Sequence, residues 1–494
     1  MRYIKLQHRV VHARYDEPTG KWHLRIRRPP PPNVTLESPP NEGEAYEEFE
    51  DTADLLFTGV GSLSRWKWPE IDGLKDFEGK LFHTADFEVG DGDKAWQEAI
   101  HDWKDKRVGV IGVGSSAIQI VPALQSRVKK IVNFVRGKTW ISTPFSGAKM
   151  AELMQRDPEA ENCTGYTDVF SEEDKERLKD TEYYKQFRHE LESDLNSVHP
   201  STLKDSDAQR AGRAAFHAHM KKKLAKKPWI ADFLIPEFGV ACRRLTAGPG
   251  YLEALCADNV DFQPTHIKGI TNKGIELVDG THEDLDIIIC ATGYDYSFQL
   301  DFPMVGRNGV TIQEKWSPHP STYLAVCTDG FPNWFMSLGP NSSLGSGSLL
   351  VLIERQVEYA VAVAKKIQRE RLKSIEVTKE AVADFDEYLE SYFPKTVYSE
   401  KCRSWYKMGK EQGRVVALWP GSCLHAVRAI EQPRWEDFRY ELPEGVKNRM
   451  HWLGDGQTYN EKTMTGDRAW YLNDDEVDIP TGAYTTLRLS VLIS

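Results

Sequence analysis

RVGVIGVGSSAIQIVPAL, residues Arg107 to Leu124, reads as a buried apolar strand that runs into glycines and then into a helical pattern. The turn Gly112-Val113-Gly114-Ser115-Ser116-Ala117 has the G-x-G-x-x-G/A form, in which glycines let the backbone approach a pyrophosphate lying on a helix N-terminus. On its own such a turn can equally be a structural element of another α/β sheet. The context favours a dinucleotide site, because a strand precedes it, a helix follows it, and a second apolar strand runs from Ile131 to Val135. Where an NAD-binding fold places an acid to hold the ribose hydroxyls, this chain has Arg136. A guanidinium there suits a 2′-phosphate, so NADPH is expected over NADH, cradled by Val113 to Gln119 (with Ile118 on the helix) and held by Arg136 and Gly137.

Outward from this unit the chain alternates between strand and helix signals. Upstream, Tyr3 to Val11 and Trp22 to Ile26 read as strands of a meander separated by the turn DEPTG, Asp16 to Gly20. A loop from Arg27 to Glu44 contains Pro29 to Pro32 and is read as a surface insertion; Leu55 to Gly59 reads as a buried strand ending at a turn. Downstream, Ala151 to Trp229 is charged and helix-favouring, and its basic run Lys221 to Lys227 is read as a solvated face. Strand signals return in LDIIICA, Leu285 to Ala291. A long helix is expected from Leu349 to about Arg371, with Leu349, Ile353, Val357, Ala360, Val361, Ala364 and Ile367 on one face. The stretch past Trp435 has no chemical reading.

Composition narrows the partners. The 494 residues suffice for about three domains. The 63 Lys and Arg against 74 Asp and Glu give a net charge of −11, which argues against nucleic-acid coating and polybasic membrane binding and leaves a small molecule as the default partner. No apolar run approaches the ~20 residues of a bilayer span, and the first ten residues have no apolar core of a signal peptide. Seven cysteines occur without a CxxC pair, and no His cluster has metal-ligand spacing. The expectation is a soluble cytoplasmic protein with reduced thiols and no metal. Oligomeric state is open.

WPEIDGL, Trp68 to Leu74, followed by FEGKLFHTADF, Phe77 to Phe87, resembles the fingerprint F-x-G-x-x-x-H-T-x-x-W of Baeyer–Villiger monooxygenases, the class B flavoprotein monooxygenases. Phe77, Gly79, His83 and Thr84 match, and Phe87 stands where the family has Trp. Read from the residue alone, a histidine in such a segment is structural; the resemblance agrees, giving it a linking role between domains. The resemblance continues at Cys242-Arg243-Arg244, similar to the family's C-K-R segment, and implies that Arg243 grips the NADP phosphate and that Arg244 reaches the flavin. A fixed guanidinium there can stabilise an anionic oxygen donor. Thr58-Gly59 and Ala291 to Tyr294 resemble the two crossovers between dinucleotide domains. FPNWFMSLGPNSSLGSGSLL, Phe331 to Leu350, resembles the loop and helix start beside the isoalloxazine, so Asn341, Leu349 and, upstream, Val10 are expected on the FAD side. CRSWYK, Cys402 to Lys407, and WPGSCLH, Trp419 to His425, resemble fungal members; their tryptophans are read as substrate walls or core.

The resemblance implies an α/β two-dinucleotide-binding-domain flavoprotein with a Rossmann-like NADP domain. Residues 1–103 and 299–494 would form the FAD domain, 104–150 and 230–298 the NADP domain, and 151–229 a helical insertion. The implied reaction uses FAD, NADPH and molecular oxygen to convert a bulky ketone, polyketide, terpenoid or steroid-like, into an ester or lactone in fungal secondary metabolism. Alternatives are oxygenation at nitrogen or sulfur, which Phe87 favours, and a non-catalytic NADP-binding remnant. The last arises because the family's FAD phosphate turn lies ahead of a segment resembling YIKLQHRVVHARYDEPTGKWHL, which begins here at residue 3, so the FAD domain is expected to be N-terminally incomplete. The chain as written is therefore expected to bind NADPH more firmly than FAD and to oxygenate little; a purified sample that is yellow with stoichiometric flavin and oxidises ketones would overturn this.

Overall fold

The computed structural model describes residues 3–28, 47–87, 96–143, 145–156 and 170–472. Pro29 to Pro32 and Cys163 lie outside the described residues.

The opening stretch folds as a strand, Arg107–Ile111, and a helix, Ser115–Gln125. Val108, Val110 and Ile111 are all buried, as a strand covered on both faces requires. It sits in the middle of a five-stranded parallel sheet whose spatial order is Val260–Gln263, Lys130–Phe134, Arg107–Ile111, Ile287–Cys290, Lys80–His83. One face packs Val110, Ile131 and Ile289 under the helices Ser115–Gln125 and Tyr251–Leu255, through Ile118, Val121, Leu252 and Leu255. The other face packs Val132, Phe134 and Ile288 against a small antiparallel sheet through Ile270, Ile275 and Leu277.

Asn133 is the one fully buried polar side chain on the strand Lys130–Phe134. Its amide donates to the carbonyls of Val110 (3.0 Å) and Gly112 (2.9 Å), and its oxygen accepts from the buried Tyr251 hydroxyl at 2.8 Å. A single side chain thus ties the central strand, the glycine turn and the second helix together.

The strand Lys80–His83 and the residues Ile100 and Trp103, grouped by sequence with the N-terminal meander, belong to this sheet and its core. Lys80–His83 forms its edge, in register with Ile287–Cys290, and Ile100 and Trp103 are buried in its core. The strand KLFH is too short and too polar to show its partner in sequence.

The second body contains a four-stranded sheet ordered Met304–Val305, Arg9–Asp16, Lys21–Arg28, Glu47–Ala53, and a parallel pair, Leu56–Thr58 with Trp334–Met336. The first strand starts at Arg9 and not at Tyr3: Tyr3, Ile4 and Leu6 are exposed, and Gln7 has a left-handed φ of 59°. Glu47–Ala53 was not expected as a strand, because EEFEDTA is mostly acidic. It pairs with a basic strand, and Arg28–Glu47 and Arg27–Glu48 meet at 2.9 Å each.

The expected helical insertion contains the helices Glu172–Arg177, Thr181–Ser197 and Asp207–Lys223. In its basic run Lys221, Lys222 and Lys226 are exposed, but Lys227 donates to the carbonyls of Ala257 (2.8 Å) and Val260 (2.7 Å). The long helix spans Leu349–Glu370. Its buried face is rotated from the expected one: Leu352, Gln356, Tyr359, Val363 and Ile367 point inward, while Val357 and Val361 are exposed. Gln356 accounts for the rotation, since its buried amide joins Ser337 Oγ (2.8 Å) and the Ala325 carbonyl (3.2 Å).

Asn133→Ala should destabilise the protein by about 3 kcal/mol by leaving two carbonyls and the Tyr251 hydroxyl unpaired, whereas Tyr251→Phe should cost only about 1 kcal/mol. Urea unfolding of both variants measures the difference.

Candidate functional site

Gly112 ends the central strand with φ +125°, and a Cβ there would run into the Ala291 carbonyl oxygen, so the turn admits only glycine. Gly114 is extended and a Cβ on it would meet nothing. The helix then begins at Ser115 with no capping side chain and no acid in its first turn, leaving its N–H groups and the positive end of its dipole facing open space. Val113, Ala117 and Ile118 point into the core and can offer a ligand only backbone; Ser115 and Gln119 are exposed and Ser116 is half-buried. The Ser115 hydroxyl shares a 2.6 Å hydrogen bond with Thr246.

Arg136 and Gly137 follow the neighbouring strand and are exposed beside the turn. Arg243 crosses over Gly137, with Nη1 3.9 Å from where a Cβ would sit, and donates from Nη1 to the Lys138 carbonyl at 2.8 Å. Burial lowers the Arg243 pKa from its ordinary value; Tyr296 opposes the shift, and the nearby charges of Arg136 and Arg403 add to it. Burial and then Arg403 act on Arg136 in the same direction. Among the described residues none of Arg136, Arg243 and Arg403 is paired with a carboxylate. Three cations gathered without a counter-charge make an anion site.

Arg403 and Tyr296 were missed by the sequence reading. Arg403 arrives through a disulfide between Cys242 and Cys402, whose Cα atoms lie 6.5 Å apart across 160 residues of chain. This corrects the expectation of reduced thiols throughout: Cys256, Cys290, Cys327 and Cys423 are free and buried, but this pair is bonded. The long separation hid it, although the repeated Cys-Arg dipeptide was a visible signal. Arg244 is exposed and bonds the Tyr406 hydroxyl, which burial pushes up to about 12.

The fingerprint residues serve the scaffold. Phe77 is buried, and a Cβ on Gly79 would meet the Asp286 carbonyl and the Phe77 ring. Thr84 N–H donates to the Cys290 carbonyl at 3.1 Å. His83 is fully buried, stacked on Trp66 at 4.3 Å, with Nδ1 accepting from the Ala85 N–H at 3.2 Å. Trp66 in turn bridges to Tyr294, so His83 lies beside the segment Ala291 to Tyr294. Phe87 packs on Phe82 (5.4 Å) and Trp103 (6.1 Å).

In the second body Asn341 is buried with φ 62°, its N–H donating to the Val416 carbonyl at 2.8 Å, and Leu349 opens the long helix, whose start has no capping side chain. Val10 packs, partly buried, against the core cluster that contains Trp334 and Met336. Trp419 is core, donating to His425 Nδ1 at 3.0 Å; Trp405 is half-exposed beside Tyr406.

No family model matches the chain. It is 34% identical over 467 residues to the FAD-binding monooxygenase tazF of Aspergillus terreus, covering 94% of this chain and 76% of the relative. It is 32% identical to the FAD-binding monooxygenase stcW of Emericella nidulans (92% and 70% covered) and 31% identical to a Baeyer-Villiger monooxygenase of Pseudomonas aeruginosa (82% and 68%). The structure is similar to an oxidised steroid monooxygenase bound to NADP, with TM-score 0.66, 27% identity, and 89% and 82% of the two chains covered. A likeness to cyclohexanone monooxygenase from Rhodococcus sp. Phi1, at TM-score 0.64, 24% identity and 88% and 80% coverage, supports the fold. No helix among the described residues is long and apolar enough to cross a membrane.

Burial lowers the His83 pKa below its ordinary 6.5, opposed by the Gly293 backbone and Asp86, so the folded state holds the ring neutral. Its contribution to stability is complete above pH 6.5 and is lost as pH falls below it, because the unfolded chain then takes up a proton that the folded chain refuses. Unfolding free energy measured against pH should decline less steeply below 6.5 in His83→Gln than in the wild type.

Proposed function

Because the chain belongs to the FAD-binding monooxygenases, the flavoprotein family that includes the Baeyer–Villiger enzymes, we propose that it inserts one oxygen atom beside the carbonyl of a bulky ketone, giving an ester or lactone, with FAD and NADPH as cofactors. The observation that carries this reading is the open glycine turn flanked by Arg136 and Arg243, which among the described residues have no carboxylate partner, with Arg244 next to Arg243 in the chain.

The residues fit an NADP group. The cradle at Gly112 is one that a Cβ would spoil, and the uncapped helix start supplies donors for a pyrophosphate from Val113 to Gln119. Arg136, Gly137 and Arg243 would take the 2′-phosphate. Val10, Asn341 and Leu349 would face FAD, where the uncapped helix start at Leu349 suits an anionic ring edge. When bound, FAD reduced by NADPH supplies the activation of molecular oxygen. Arg244, bonded to the Tyr406 hydroxyl, would supply a positive charge to an anionic oxygen donor on the flavin side. The stack of His83 on Trp66, which bridges to Tyr294, supports a linking role for His83 at the second crossing.

The likeness to a steroid monooxygenase supports a bulky, steroid-like ketone as substrate. Phe87, the residue that favoured nitrogen or sulfur oxygenation, is partly buried and packs against Phe82 and Trp103 at the core of the nucleotide sheet, a place that suits a packing role.

With FAD and NADPH supplied, the protein should convert a polycyclic ketone to a product heavier by one oxygen and leave a tertiary amine and a thioether unchanged. Exclusive formation of an N-oxide or sulfoxide would overturn the ketone reading, and binding of both cofactors without any product would favour the non-catalytic one. Arg244→Ala should lower kcat about 10²- to 10³-fold while leaving NADP⁺ affinity unchanged.

A further inference from the structure

The loop from Glu400 to Glu411 is fixed at many points, and its exposed Arg403 lies near Arg136 and Arg243. Cys402 and Ser404 are buried on either side of exposed Arg403. The Ser404 hydroxyl accepts from the Tyr406 N–H at 3.2 Å, and the buried Lys407 ammonium donates to the Glu411 carbonyl at 2.9 Å and to the Glu400 carbonyl. Glu400 also accepts from the Gly239 N–H at 2.6 Å, joining this loop to the segment that leads into Cys242. The bridge from Cys242 to Cys402 then places two Cys-Arg dipeptides side by side, so that Arg243 and Arg403 leave the same disulfide. Arg136 arrives from the end of the parallel sheet, and Tyr296 lies against Gly409 of the same loop, its ring 3.5 Å from where a Cβ would be. Nothing among the described residues neutralises these guanidiniums with a carboxylate. Repulsion between like charges is tolerated where a polyanion fills the gap.

We propose that Arg403 is a third phosphate-gripping residue of the dinucleotide site, positioned by the Cys242–Cys402 bridge, and that with Arg136 and Arg243 it selects a dinucleotide bearing a 2′-phosphate over one that lacks it. The proposal rests on the NADPH reading above and adds to it a residue on the other side of the disulfide. A terminal phosphate monoester carries close to two negative charges at neutral pH and three acceptor oxygens, enough to engage three guanidiniums from different directions. A dinucleotide without it presents only the ribose hydroxyls, which gain nothing from a further cation. Cys402 acts only through Arg403 and is a positioning residue.

The test is calorimetric titration of the full chain with NADP⁺ and with NAD⁺. Arg403→Gln should weaken NADP⁺ binding about ten-fold or more and leave NAD⁺ binding unchanged, with Arg403→Lys recovering part of the loss. Cys402→Ser, with its fold checked by circular dichroism, should shift NADP⁺ affinity in the same direction while keeping every arginine. If Arg403→Gln binds NADP⁺ as the wild type does, the role of Arg403 is refuted and the NADPH reading stands. If the wild type itself binds NAD⁺ as tightly as NADP⁺, both fall together.

Discussion

The buried carboxamide of Asn133 is the contact on which the nucleotide side of the molecule depends. Strand ends in a parallel sheet leave carbonyls that the sheet no longer satisfies, and burying them unpaired would be costly. Asn133 serves two of them, at Val110 and Gly112, and fixes Tyr251 with its remaining acceptor. The glycine turn is therefore held from below by a side chain, which leaves its upper side and the first N–H groups of the following helix free of internal partners.

A second constraint is electrostatic. The chain is acidic overall, and ion pairs elsewhere are plentiful; Arg307, for example, is shared by Glu17, Glu376 and Glu441. Against that background the arginines beside the glycine turn stand apart, having no carboxylate partner among the described residues. Burial makes their charge harder to hold, as the lowered pKa of Arg243 reflects, so the folded chain retains an electrostatic cost at this place that an anionic ligand removes.

How much of this could be read from residues alone follows from the range of the interactions. The unit Arg107 to Leu124 was legible because its strand, turn and helix are local, and the helix Leu349–Glu370 was legible in length for the same reason. Its inward face was not, because a hydrophobic count passes over Gln356, whose partners Ser337 and Ala325 come from another part of the chain. Glu47–Ala53 was hidden because its stability comes from arginines on the facing strand and not from apolar alternation. Arg136, Arg243 and Arg244 could be singled out as candidates from motif positions. The nearness of Arg403 to Arg243 could not, since only a bond between distant cysteines brings the two together.

The edge strand Lys80–His83 has a bearing on how the protein is made. In its sheet it touches a single neighbour, Ile287–Cys290, which leaves the ribosome roughly 200 residues later. Until then the fingerprint segment has no strand to pair with, while Arg107–Ile111 and Lys130–Phe134 can already associate. Synthesis thus passes through a long interval in which the nucleotide sheet is half built, and the closing event inserts one late strand between two early ones. Errors in the last stretch of that strand would be felt at both of its borders at once.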